Sequence, residues 1–191
     1  MKKTLFLIAL LSLICQGALV AEVLKITEVK IALVVDPARS SSYCILLQAN
    51  IPPLPAETFS DGMAQTLNID HAVIKLTGTV VQLPLDPPYL EAILLTSSWN
   101  PANVSWDITN RVDERYRSSD VFLLSAKGPT EFRLDVTELV RGWIVAGMAN
   151  NGLALRNLPD NLPSLLNSSV VTFDPAAMKV ALLIYYTYNP K

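Results

Sequence analysis

His71 and Cys44 are the residues whose types could do chemistry most directly. The chain holds one histidine and two cysteines, and a thiol beside an imidazole is the simplest nucleophilic pair. Cys15 falls in an N-terminal segment read below as a leader, which leaves Cys44 as the remaining thiol. No third group is placed by spacing to orient the imidazole, and His71 sits on the polar side of an alternating stretch. The expectation is a surface histidine, a buried thiol and a protein that is not an enzyme. The same scarcity excludes a zinc site of usual composition, which takes three or four His, Cys or carboxylate ligands.

Charged and aromatic residues offer binding chemistry instead. Asp113-Glu114 lies among Arg111, Arg115 and Arg117, a pattern that reads as a solvated loop of mixed charge. As a binding surface, the three arginines could grip the carboxylates of an acidic polysaccharide. Trp99, Trp106 and Trp143 could stack on sugar rings; Trp143 lies on the apolar helix stripe, which favours the core, and for all three the resemblance given below implies the same. Tyr89 and Tyr116 stand in Pro-rich or polar stretches and are the better candidates for exposed stacking. Asp36, Asp86, Asp107 and Asp174 are oxygen donors that could serve a structural calcium. They form no consecutive acidic loop, so the metal is left unassigned and no cofactor is expected. Asn103-Val104-Ser105 and Asn167-Ser168-Ser169 fit the glycosylation sequon.

Short strands must carry these residues. Val23 to Val35 reads as one or two strands, and Tyr43 to Ile51 as another, stopped by Pro52-Pro53-Leu54-Pro55. Residues 56–68 read as polar and irregular. From Ile69 to Val81 the chain alternates, with Ala72, Ile74 and Leu76 facing one way and His71, Val73 and Lys75 the other. A strand is expected at Leu90 to Thr96. Phe122 to Ser125 and Phe132 to Leu134 should flank a Gly128-Pro129 turn. Asp135 and Glu138 have capping-box spacing at a helix start. Val136, Leu139, Val140 and Trp143 then make one apolar stripe. Gly147 and the Asn150-Asn151-Gly152 turn end the helix before a strand at Leu153 and Leu155. Residues 157–169 read as a loop, and Met178 to Tyr188 as the closing strand. The fold class is therefore mainly all-β, an antiparallel sandwich or jelly roll with one short embedded helix.

Lys2, Lys3 and the apolar run from Leu5 to Cys15 have the form of a secretory signal, with cleavage after Ala21. That run is shorter than the roughly 20 residues that span a bilayer. Residues 1–21 are thus read as a signal peptide and 22–191 as a single domain, secreted or at the cell surface. Removing Lys2 and Lys3 from the 15 basic residues leaves 13 against 17 acidic ones. A chain of this sign has no electrostatic footprint for nucleic acid.

Five phrases resemble the DNRLRE-type β-sandwich domains, a group related to family 96 carbohydrate-binding modules. Ile45 through Pro55 stands where those domains have a strand ending in an "F-D-L-S-x-L-P" phrase. Ile69-Asp70-His71-Ala72-Val73-Ile74-Lys75-Leu76 is similar to their "I-x-x-A-x-L-x-L" strand. Trp99 through Trp106 is similar to "W-x-x-x-x-V-T-W", and Asp135 through Leu155 to "D-V-T-x-L-V-x-x-W … N-x-G-L-x-L". Leu182 through Tyr186 is similar to the final "L-x-V-x-Y". The likeness makes Trp99, Trp106, Asp135, Trp143, Asn151 and Gly152 residues of a structural motif. Asn50 replaces the aspartate of the first phrase, so no glycan preference is carried over. The resemblance implies a non-catalytic module whose partner is a polysaccharide or cell-surface glycan. The alternative is an extracellular subunit that self-assembles by β-strand addition, with the apolar N-terminal strand, Val23 to Val35, inserted into a neighbour's sheet.

Overall fold

In the computed structural model, residues 21–60, 62–156 and 164–191 are described. The expected signal segment up to Val20 and residues 157–163 of the expected loop lie outside them. Among the described residues, eleven strands form two antiparallel sheets, as the alternation and the proline breaks require.

Sheet A is built on β5 (Met63–Val80), an 18-residue strand. On one side β5 pairs with β11 (Val180–Pro190) and then β10 (Val171–Thr172). On the other it pairs with β4 (Glu57–Ser60) and β8 (Gly128–Asp135). The first strand, β1 (Glu22–Ile26), pairs with β11 of the same chain and forms the sheet's edge. Sheet B runs β2 (Val29–Asp36), β3 (Arg39–Ala49), β9 (Leu153–Arg156), β6 (Tyr89–Leu95) and β7 (Val112–Val121). The Val23–Val35 region thus becomes two strands in different sheets, joined at Thr27 and Glu28.

The main core lies between the sheets. Ile45, Leu47, Leu90, Leu94, Leu153 and Leu155 from sheet B meet Ala72, Ile74, Leu76, Phe132, Leu182 and Ile184 from sheet A. Fully burying a side chain of this size stabilises by about 1.5–3 kcal/mol. The alternation read at Ile69–Val81 therefore gives the correct inward face. A second apolar layer covers the outer face of sheet B. There Ala32, Val34, Cys44, Leu46, Ile93 and Ala154 pack under Trp99 and Ile108. Residues 96–111, including a 3₁₀ helix at Trp106–Asn110, hold that layer down.

The helix α1 (Thr137–Ile144) buries Leu139, Val140 and Trp143 and packs against β5 and β7. Its start departs from a capping box. Asp135 Oδ1 accepts from the Thr137 amide at 2.8 Å and the Thr137 hydroxyl at 2.6 Å. Glu138 turns away to Arg141 at 2.6 Å. After the helix, Gly152 has φ +89°, and a Cβ there would stand 2.4 Å from the Leu47 carbonyl oxygen. Only glycine fits this approach. Trp99 Nε1 donates to the Asn151 carbonyl at 3.0 Å, which ties two of the five phrases together physically.

Four sequence expectations are corrected. Residues 57–60 and 63–68 are not irregular but form the β4–β5 hairpin, whose polar sequence hides it. Arg111 to Arg117 is not a loop: residues 112–121 are β7, a charged edge strand with a register shift against β6. Phe122 to Ser125 is not a strand, and Gly128-Pro129 is no turn but the start of β8. There Gly128 has φ +116° and Pro129 lies opposite Thr79, on an edge that needs no further amide donor.

Candidate binding face

The two outer faces of the sandwich differ. That of sheet B lies under the Trp99 layer, whereas β5, β11 and β8 leave theirs open. Their register sets out its rows: Tyr185 beside His71, then Leu183, Val73 and Asp135, then Ala181, Lys75 and Arg133. A depression of about 330 Å³ runs across these rows. The His71 and Tyr185 rings stack with centroids 5.9 Å apart and planes at 29°.

Charged groups border the rings. Asp135 Oδ2 lies 3.5 Å from His71 Nδ1, and Thr137 Oγ1 is 3.2 Å from the same nitrogen. The Thr137 hydroxyl also accepts from the Ala72 amide at 2.9 Å. Two rows along from His71, Arg133 Nε donates to Glu131 Oε1 at 2.8 Å, and Lys75 Nζ stands 3.4 Å from it. The Arg133 hydrogen bond leads in holding the Glu131 carboxyl below its usual range. Chemically, the face offers an apolar and aromatic strip on β11 and β5, with donors and acceptors along its β8 side and at its Lys75 end. Such a strip suits a ring with apolar CH groups and peripheral hydroxyls.

His71 is the surface residue expected, with its side chain 48 % exposed. Cys44 is fully buried on the outer side of sheet B. Burial pushes its thiol up to about 12, so it stays protonated and on a different sheet from His71. The pair does not form. The structure does supply the orienting partner that spacing could not place, because β8 brings Asp135 to β5.

The other sequence candidates do not converge. Arg115 forms a two-bond pair with Asp113 on its own strand, at 3.0 and 2.7 Å. That bonding lowers the Asp113 carboxyl pKa and raises that of Arg115. Arg117 turns to Glu114 at 3.8 Å and Glu91 at 3.9 Å. Arg111 stands apart, beside a hollow of about 420 Å³ that Asn103 and Asp107 also line. Tyr89 and Tyr116 are not exposed loop residues. Tyr89 opens β6 opposite Val121. Tyr116 is half-buried on β7, with its ring 3.2 Å from where a Gly142 Cβ would be. All three tryptophans serve packing: Trp99 and Trp143 are buried, and Trp106 is half-buried against the outer layer.

Beneath Arg117 lies a charge pair that sequence reading missed. Glu91 on β6 is 2 % exposed and accepts from Arg156 Nε on β9 at 2.6 Å. Arg156 also reaches Glu114 at 3.0 Å. Cross-strand register alone reveals this pair.

Compared with protein-family models and with curated proteins, the chain matches none. Among the described residues, no group of three or more His, Cys, Asp or Glu is placed to hold a metal ion. Asp36 and Asp174 instead accept from nearby amides, of Ala38 at 2.8 Å and Ala176 at 2.9 Å. Among the same residues, no helix is long and apolar enough to cross a membrane.

Proposed function

We propose that this chain is an exported, non-catalytic module that binds a glycan on the open face of sheet A. The supporting observation is the stacked His71–Tyr185 pair on the face that lacks a second apolar layer. Asp135 stands one row along on β8, with Arg133 and Lys75 in the row after it. A sugar ring laid on Tyr185 and Leu183 would place its hydroxyls within reach of these three side chains.

Affinity gel electrophoresis of residues 22–191 against neutral and uronate polysaccharides tests this reading. Retardation by one class that disappears in Tyr185→Ala, at an unchanged melting temperature, is the expected result. Uniform mobility on every gel would overturn it.

The second reading, self-assembly by strand addition, has its own observation. β1 and β2 each end a sheet on the same side of the sandwich, and Val23 and Val35 are exposed there. Unpaired sheet edges of this kind are templates for another strand. Fibres in electron micrographs of concentrated protein would favour it.

A further inference from the structure

Strand lengths leave a slot at one corner of the sandwich. β11 has eleven residues and β1 five. The register between them ends at Ile26 opposite Leu182, after which the chain crosses to sheet B. Met178 to Ala181 therefore have no neighbouring strand on that side. A cavity of about 600 Å³ opens in the gap, a size that suits a small organic molecule.

Its walls combine two chemistries. Ile31 of β2 and Leu76, Met178 and Val180 of the core make an apolar floor. Lys25, Lys75 and Lys179 stand around it. Lys75 faces Glu131, the one carboxylate of the lining, which Arg133 also holds. Lys25 and Lys179 have no carboxylate partner among the described residues. The slot thus carries unbalanced positive charge in a chain whose net charge is −2.

A main-chain donor completes the lining. The Thr77 amide donates to the Lys179 carbonyl at 3.0 Å, and the Lys179 amide donates to Thr77 Oγ1 at 2.8 Å. Both polar groups of Lys179 therefore face β5. Strand alternation then turns the N–H and C=O of Val180 toward the slot.

We propose that this slot binds a small organic anion with an apolar body, such as an aryl or alkyl carboxylate or sulfonate. The body lies on Ile31, Leu76 and Val180, and the charged group meets Lys25 and Lys179 at the mouth. The proposal does not depend on glycan binding at the Tyr185 face.

Fluorescence titration with 8-anilinonaphthalene-1-sulfonate tests it. The folded protein should bind the dye saturably at one site and melt at a higher temperature in its presence. Lys25→Ala combined with Lys179→Ala should weaken binding about tenfold or more while the free protein melts unchanged. Both substitutions are at exposed positions, so folding is retained. Tyr185→Ala should leave dye binding intact, which separates this slot from the proposed glycan face. Absence of saturable binding would overturn the proposal. So would equal affinity in the double variant, or loss of binding in Tyr185→Ala alone.

Discussion

Arg141 of α1 places Nε 3.0 Å and Nη2 2.6 Å from the main-chain oxygen of Ile69 on β5. This contact fills a gap in sheet A. On its β4/β8 side, β5 is paired as far as Thr66 and again from Val73. The stretch between has no neighbouring strand, and residues outside the sheet pairing replace the ladder. Ala56 O accepts from the Leu67 amide, and the Val136 amide donates to Ala72 O. The Thr137 hydroxyl accepts from the Ala72 amide. The start of the helix thus acts in place of a missing strand, which explains why one helix sits inside a β-fold.

Arg141→Met should consequently destabilise the protein by about 1.5–3 kcal/mol, the cost of losing charge-assisted bonds to a partly buried carbonyl. Arg141→Lys should recover part of that loss. Chemical denaturation is the measurement, and a midpoint unchanged in Arg141→Met would refute the role.

Trp143 separates size from polarity. Its indole nitrogen is buried without a hydrogen-bond acceptor among the described residues, so the N–H carries a desolvation cost. Trp143→Phe should be close to neutral in thermal melting, whereas Trp143→Ala should cost about 3–5 kcal/mol through the cavity left behind. Equal losses in both variants would mean that the N–H has an acceptor.

Glu91 and Arg156 make the costliest surface to disturb. Arg156→Met leaves a carboxylate that is 2 % exposed without its main partner, and about 3–5 kcal/mol should be lost. Replacing Glu91 by Leu in the same background should restore much of the loss. A double variant no more stable than Arg156→Met would count against the pair. Arg115→Ala, at a side chain that is 80 % exposed, should leave the melting temperature nearly unchanged.

Alkaline pH should weaken the fold through Cys44. Its thiol has an ordinary value of 9.0 and a folded value of about 12, raised by burial. Below pH 9 both states hold the proton, so the stabilisation is complete. Between about 9 and 12 the unfolded chain ionises first, and stability falls. Tyr43 is raised as well, chiefly by burial, and adds to the same trend above its ordinary value. Denaturation midpoints between pH 8 and pH 11 should fall less steeply in Cys44→Ala; an identical slope would exclude the thiol.

Much of this architecture is legible in the sequence where one face is apolar. Ala72, Ile74 and Leu76 announce β5, and Val136, Leu139, Val140 and Trp143 announce the helix. The strand Asp113 to Asp120 is illegible because both its faces are polar, so no period-2 signal survives. β4 is too short to show a pattern. The open face of sheet A is hidden for another reason. His71, Asp135 and Tyr185 belong to three strands, and only pairing register brings them side by side. The arginines mislead because the sequence shows Asp113 and Glu114 beside them but not that these hold Arg115 and Arg117, nor that Glu91 of β6 stands under Arg117.

The place of β11 has a consequence for how the chain acquires its shape. β11 follows both its partners in the chain and lies between β1 and β5 in sheet A. Until it emerges, β1 has no partner in that sheet, and the β5 edge from Gln65 to Leu76 stays bare. Nearly all closure of sheet A is therefore long-range, which puts folding in the slow regime of milliseconds to seconds common to β-sandwiches. A ribosome-bound or C-terminally truncated chain would expose the Ile74 and Leu76 face to aggregation. The arrival of β11 thus decides when sheet A closes.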